Sequence, residues 1–291
     1  MKRLILGVCM GLLALSSVQA QRSEMGVFAG GSFYLGDINP AGLFSQTQPA
    51  FGALYRYNLS TRWTLRSNVL WGRVKADDAK YNRLDRNLSF RSQIAEFSMM
   101  AELSFLPYFT GSNRSYRFSP YLFGGIAVFS FNPQASNYNA LLAKNEWIDL
   151  APLSTEGQGL SSYPDKQPYS TTQISLPFGL GFKYSLNRIF CVGVEWGMRK
   201  TFTDYIDDVG GTYVSQSSLM SERGNQAAYF ADPVAADQKH VEGSMRGSAG
   251  KTDWYSFAGV TLTARIGRPR QEPCAANKQS AVDRIKRSME Y

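Results

Sequence analysis

The sequence predicts an all-β fold: an eight-stranded antiparallel transmembrane β-barrel of the outer-membrane type, with long outside loops and a short periplasmic C-terminal tail. Three observations predict it. Apolar residues recur at every second position in eight separate segments, and a period of two sends alternate side chains to opposite faces of a strand. The gaps between these segments alternate short and long, as in barrels with tight periplasmic turns and longer outside loops. The one long apolar run, Leu4 to Leu15, follows Lys2 and Arg3 and precedes Val18-Gln19-Ala20, the layout of a secretory signal cut after Ala20. Residues 1–20 are therefore expected to be a signal peptide, 21–266 the barrel and 267–291 the tail.

The segments run in order. The first puts Val27, Ala29, Phe33 and Leu35 on one face. The second sets Phe51, Ala53, Tyr55 and Tyr57 against Gly52, Arg56 and Asn58. The third sets Trp63, Leu65, Val69 and Trp71 against Thr64, Arg66 and Asn68. The fourth is the cleanest, with Ala95, Phe97, Met99, Ala101, Leu103 and Phe105 alternating with Glu96, Ser98, Glu102 and Ser104. Its apolar face has the ~9–11 residue length of a tilted strand that crosses a bilayer. The fifth carries Tyr121, Phe123, Ala127, Phe129 and Phe131 on the expected apolar face, but Leu122, Gly124, Ile126 and Val128 opposite them are apolar too. The sixth sets Ile174, Leu176, Phe178, Leu180, Phe182 and Tyr184 against Gln173, Ser175, Gly179, Gly181 and Lys183. The seventh sets Phe190, Val192, Val194, Trp196 and Met198 against Gly193, Glu195, Gly197 and Arg199. The eighth sets Trp254, Ala258, Val260, Leu262, Ala264 and Ile266 against Asp253, Thr261, Thr263 and Arg265.

Composition narrows the class. Mean hydropathy is −0.26, which argues against a helical membrane protein. Net charge is +8, or +6 once Lys2 and Arg3 are removed. The excess is dispersed, so with an export signal present no nucleic-acid partner is expected. Aromatics at 13% and 26 glycines suit interface girdles and closely packed strands. A soluble sandwich or a lipocalin-like barrel would turn the apolar faces inward. Against that stand the charges on the other faces, Arg56, Arg66, Glu96, Glu102, Glu195 and Arg199. Inside a narrow eight-stranded barrel these opposite charges should pair and plug the lumen rather than line a solute path.

Catalytic chemistry is not apparent. The single histidine, His240, lies deep in the last long gap and reads as a mobile surface residue, and no nucleophile elbow occurs in a strand-to-helix context. With one histidine and two mature cysteines, Cys191 and Cys274, a Cys/His metal site is not expected, nor is any cofactor. Asp204, Asp207 and Asp208 form a cluster that could take calcium or, more plainly, cap backbone amides or pair with Arg199 and Lys200. Cys274 stands in the expected periplasmic tail, where an intermolecular disulfide is one expectation and a reduced thiol the other. Beyond it Val282, Ile285 and Met289 recur at helical spacing, consistent with a short amphipathic helix.

Several stretches taken in order resemble a known family. They are Glu24-Met-Gly-Val-Phe-Ala-Gly-Gly-Ser-Phe-Tyr-Leu-Gly-Asp37, Tyr55-Arg-Tyr-Asn58 with Arg62-Trp63, and Arg86-Asn-Leu-Ser-Phe-Arg91. Asp204-Tyr-Ile-Asp-Asp-Val-Gly-Gly-Thr-Tyr213 and Asp253-Trp-Tyr-Ser-Phe-Ala-Gly-Val-Thr-Leu262 follow. The set resembles the PorG family of Bacteroidetes, the outer-membrane barrel of the type IX secretion system. The resemblance runs from Glu24 to Ile266. It implies a non-enzymatic assembly component of the cell outer membrane, associated with a periplasmic ring made by the PorK lipoprotein and PorN. It brings no catalytic residues with it. An adhesin or receptor barrel, a small-solute barrel and a lipid-modifying barrel enzyme are the alternatives.

Overall fold

The computed structural model describes residues 23–40, 42–83, 85–108, 116–139, 144–248 and 250–266. The expected signal peptide, the tail and Cys274 lie outside the described residues. Among the described residues nine antiparallel strands form: β1 (Ser23–Leu35), β2 (Gln48–Asn58), β3 (Trp63–Asp77), β4 (Ser89–Ser104), β5 (Phe118–Asn139), β6 (Lys144–Asp149), β7 (Thr172–Ser185), β8 (Phe190–Thr201) and β9 (Trp254–Ile266). Eight of them close into a barrel: β1 pairs with both β2 and β9, β4 closes onto β5, and β7 follows β5 in the wall. Closure leaves no unpaired edge in the wall. The ninth strand, β6, pairs only with the upper end of β5, from Gln134 to Asn139.

Alternation sorts the side chains. On β3, Trp63, Leu65, Val69 and Trp71 face outward and are exposed, while Thr64, Arg66, Asn68 and Leu70 are buried inside. On β4, Phe97 and Met99 face out and Glu96, Ser98, Met100 and Glu102 face in. The outside of the wall is thus an apolar belt. Val69 at 59% and Ile126 at 62% exposure are as open as surface residues, which water would penalise and lipid would not.

The fifth segment is inverted relative to the sequence expectation. Tyr121, Phe123, Ala127, Phe129 and Phe131 point into the barrel, and Leu122, Ile126 and Val128 form the outer face. With both faces apolar, hydropathy cannot choose between them; the interior space can, because it is filled by aromatic rings. The segment also runs on past Phe131: β5 continues to Asn139 and returns as β6 (Lys144–Asp149), within the long gap that the sequence leaves between the fifth and sixth segments.

The two ends of the barrel differ. At one end connections are tight. Ser60 Oγ accepts from the backbone N–H of Arg62 and Trp63, and Asn187 Oδ1 accepts from those of Ile189 and Phe190, at 2.8 Å each, which is the turn chemistry of Ser and Asn. At the other end residues 150–171 and 202–253 fold into a cap holding two short helices, α1 (Gln216–Arg223) and α2 (Asn225–Ala231). Ser215 caps α1 by accepting from the backbone N–H of Ser218. Leu219, Ala227, Ala228 and Ala231 pack with Leu160 and Val214 in a small core of the cap's own.

Candidate functional site

The barrel interior is built in layers. Toward the end with tight turns, four cations, Arg56, Arg66, Lys183 and Arg265, face three carboxylates, Glu24, Glu102 and Glu195. β3 delivers Arg66 and β8 delivers Glu195, which meet through two parallel hydrogen bonds of 2.6 Å each. Arg56 of β2 donates from Nε to Glu102 of β4 at 3.1 Å, and Lys183 of β7 donates to the other oxygen of Glu102. The Tyr121 hydroxyl donates to Glu195 at 2.8 Å and accepts from Arg56 at 3.4 Å. Higher up, Arg199 donates to Glu96 at 2.9 Å and Tyr255 adds its hydroxyl to the same carboxylate, also at 2.9 Å. All six charges singled out in the sequence therefore lie inside and in contact with an opposite charge. Three further members of the network are Glu24, Lys183 and Arg265, with Glu24 held by Asn58, Thr263 and Arg265.

Tyr108 closes this end. The segment after β4 folds inward until the Tyr108 hydroxyl accepts from Ser185 Oγ at 2.9 Å. The Lys183 ammonium lies 4.5 Å and the Arg265 guanidinium 5.2 Å from its ring centroid. Cys191 is buried on the inner face of β8. Sequence reasoning missed Tyr108, because nothing in its neighbourhood marks it as inward-turning.

Above the charges, an apolar layer fills the lumen. Phe28, Tyr255, Phe257, Phe129 and Phe131 belong to one buried cluster with Leu54, Leu70 and Ile94, and Ile206 and Val209 join it from the long loop after β8. That loop dips into the barrel mouth. It is held there by Tyr34, whose hydroxyl meets Asp207 at 2.5 Å and Asp253 at 2.6 Å, and by Asp253, which accepts from the Ile206 backbone N–H at 2.8 Å.

The cap closes the outer end. The hub is Arg246, which is 2% exposed. It donates to Glu156 at 3.1 Å and to the backbone oxygens of Asp208, Ala231 and Phe230. Asp208 accepts the hydroxyls of Thr155 at 2.5 Å and Tyr169 at 2.6 Å. His240 is not a mobile surface residue: its ring stacks on Tyr213 with centroids 4.3 Å apart, and Nδ1 lies 3.1 Å from Asp232.

The acidic triplet is split up. Asp207 faces Tyr34, Asp208 faces Thr155 and Tyr169, and Asp204 leaves Oδ1 buried without a partner. Neither Arg199 nor Lys200 pairs with them; Arg199 is committed to Glu96 inside the wall. Among the described residues no three His, Cys, Asp or Glu side chains converge to hold a metal. Burial raises all three carboxyls: Asp204 to about 7, with Asp37 and Glu156 adding repulsion, and Asp208 to about 6 against the pull of Arg246. Asp207 is pushed up in the same direction.

A family model described as "Domain of unknown function (DUF6089)" matches residues 2–151. No curated protein matches. Among solved structures, the chain is similar to Ail, the attachment invasion locus protein of Yersinia pestis in complex with the heparin analogue sucrose octasulfate, at 8% identity and a TM-score of 0.39, covering 84% of this chain and 98% of that one. It is similar to Neisserial surface protein A at 9% identity and a TM-score of 0.40, covering 84% and 97%. It is similar to OprG from Pseudomonas aeruginosa at 11% identity and a TM-score of 0.35, covering 84% and 99%.

Proposed function

The chain belongs to the DUF6089 family, a family without assigned function, and from that premise we propose that it is a non-enzymatic barrel of the bacterial outer membrane that works through protein contacts. One observation carries the reading: the wall is apolar outside and the interior is filled from end to end. An apolar belt with no open edge favours lipid as the surrounding phase. A lumen occupied by ion pairs, aromatic rings and an inserted loop favours neither conduction nor passage of a solute. Work is then left to the two ends and the outer wall.

The finer reading is a component of the type IX secretion apparatus that anchors or organises a periplasmic ring containing the PorK lipoprotein and PorN. It rests on the ordered motifs from Glu24 to Leu262. Residues 1–20 as a cleaved signal and 267–291 as a periplasmic tail belong to the same proposal, as does a disulfide from Cys274 to another chain. A clean deletion should abolish cargo export, and a tagged barrel crosslinked in native membranes should recover the ring lipoprotein. Intact export in the deletion strain would overturn the assignment. On non-reducing gels, a band shift lost in Cys274→Ser supports the disulfide, and an unchanged pattern removes it.

A second reading, an adhesin or receptor barrel, is favoured by the folded cap, which presents Phe202, Val241 and Met245 to solvent. Under that reading, Val241→Ser with Met245→Ser abolishes ligand binding while export continues.

A further inference from the structure

The outer wall carries a cluster of cations at one height. β3 sends Trp71, Arg73 and Lys75 outward in succession, and β4 sends out Phe97, Ala95, Gln93 and Arg91 beside them. Register sets Trp71 opposite Ala95, Arg73 opposite Gln93, and Lys75 directly opposite Arg91. Like charges facing each other across adjacent strands repel. None of the three cations forms an ion pair with a carboxylate among the described residues. The nearby acids are engaged: Asp77 accepts from the Ala79 backbone N–H, and Asp149 accepts the amides of Asn132 and Gln134. Arg73 Nε is buried with no hydrogen-bond partner. Arg91 is held in place, its Nε donating to Gln134 at 2.9 Å and its guanidinium 3.7 Å from the Trp147 ring centroid.

The height matters as much as the charge. Trp63 and Trp71 mark the two ends of the outward apolar face of β3. Eight residues of strand span about 26 Å, which a tilt of about 40° shortens to about 20 Å along the barrel axis, so the next outward residues stand at the border of an apolar band about 25 Å tall. Arg73, Lys75 and Arg91 begin one step beyond Trp71, on the side of the long loops. Below them on the same two strands lie Val69, Trp71 and Phe97, all exposed.

We propose that Arg73, Lys75 and Arg91 bind the phosphate of a phosphorylated lipid in the outer leaflet, with its acyl chains against Val69, Trp71 and Phe97. The phosphate supplies the anionic partner that none of the three cations has in direct contact, an acceptor for the unpaired Arg73 Nε, and a charge that offsets the crowding of Arg73 and Lys75 against Arg91; arginine forks suit phosphate oxygens. The apolar strip directly beneath selects a lipid over a free phosphate, because it adds a surface that only an acyl chain covers. The proposal rests on the outer-membrane reading.

The test is native mass spectrometry of the full chain purified in detergent, with diphosphorylated lipid A, its dephosphorylated form, and inorganic phosphate as separate probes. The wild-type chain should retain the diphosphorylated lipid at least tenfold better than the dephosphorylated one, and millimolar inorganic phosphate should not displace it. Arg73→Gln/Lys75→Gln/Arg91→Gln should lose that preference, at roughly tenfold per one to two cations removed. Arg91→Lys, which keeps the charge, should retain most of it. Folding of each variant is checked by heat-dependent gel mobility, and location by membrane fractionation. A wild-type chain that sits in the outer membrane but retains both lipids equally overturns the lipid site and leaves the membrane reading intact. Displacement by inorganic phosphate alone, or an unaltered preference in the folded triple variant, also overturns the site. A wild-type chain recovered outside the membrane fraction overturns both.

Discussion

Arg66 and Glu195 stand on opposite sides of the barrel wall, 129 residues apart in sequence, and meet in the lumen through two hydrogen bonds of 2.6 Å. The arginine side chain is fully buried and the carboxylate nearly so. Such a pair stabilises little compared with a well-packed apolar substitute, yet leaving either partner alone strands a charge in a dry site. Arg66→Met should therefore cost about 3–5 kcal/mol, while Arg66→Met/Glu195→Leu should recover most of that loss. Urea unfolding in detergent micelles, followed by tryptophan fluorescence, measures both. Equal destabilisation by the single and the double variant would mean that the pair is not the operative contact.

The charge layer is not the only barrier in the lumen. Phe28, Phe129, Tyr255 and Phe257 close the section above it, with Ile206 inserted from the loop. Wild-type protein in planar bilayers should give no stable openings, and Arg66→Met should give none either. Sustained conductance steps from the wild-type chain would contradict a filled interior.

Much of this was legible in the sequence, for a physical reason. Where one face of a strand meets an apolar phase and the other meets charges, alternation fixes the facing, as in β3 and β4. It fails where the inner face is apolar as well. Tyr121, Phe123, Phe129 and Phe131 look like a lipid-facing set and instead point inside, Phe129 and Phe131 into the aromatic layer and Tyr121 and Phe123 among the ion pairs. The cap was not legible. Tyr34 reaches Asp207 across 173 positions and Arg246 reaches Glu156 across 90, and no local pattern encodes contacts of that span. The acidic triplet was legible in part: Asp207 caps the Val209 backbone N–H at 2.9 Å, one of the roles its spacing suggested, whereas its other partner and those of Asp208 are hydroxyls of distant residues rather than Arg199 and Lys200. β6 was hidden because its alternation is mostly polar, as expected of a strand that stands above the apolar belt.

The elevated carboxyls of the cap set a pH dependence with a definite sign. Burial pushes the Asp204 carboxyl up to about 7 and the Asp208 carboxyl up to about 6 in the folded cap, above the ordinary aspartate value of about 3.9. Between about pH 4 and these values the folded cap holds protons that the unfolded loop has released, so cap stability falls as pH rises through that window and levels off above it. Burial is the main cause, with Asp37 and Glu156 raising Asp204 further and Arg246 opposing the rise at Asp208. Hydrogen-exchange protection factors across residues 203–209, corrected for the base-catalysed intrinsic rate, should be larger at pH 5.5 than at pH 8. Asp204→Asn should flatten part of that difference and protect the segment at pH 8. Smaller protection factors at pH 5.5 than at pH 8 would reverse the assignment.

The repulsion between Lys75 and Arg91 has its own consequence for the lipid-free barrel. Removing one charge from a directly opposed pair should stabilise it by about 0.2–1 kcal/mol. Lys75→Gln is accordingly expected to raise the urea midpoint in a non-ionic detergent. Destabilisation of that size would mean that the two cations are already compensated within the chain.

Arg246 links the cap to the loop that enters the barrel. It reaches Glu156 from the segment before β7, Ala231 and Phe230 from α2, and the backbone of Asp208 at the inserted turn. The wall does not depend on it, because the barrel strands are closed by their own ladders. Replacing Arg246 with Met leaves Glu156 buried without its cation, a loss of about 3–5 kcal/mol that falls on the cap alone. Local opening is the expected result, since loops and short helices open more readily than a closed sheet. Limited proteolysis should cut Arg246→Met within residues 202–253 much faster than wild type, while heat-dependent gel mobility of the barrel stays unchanged. A matching loss of barrel stability would show that cap and wall unfold as one unit.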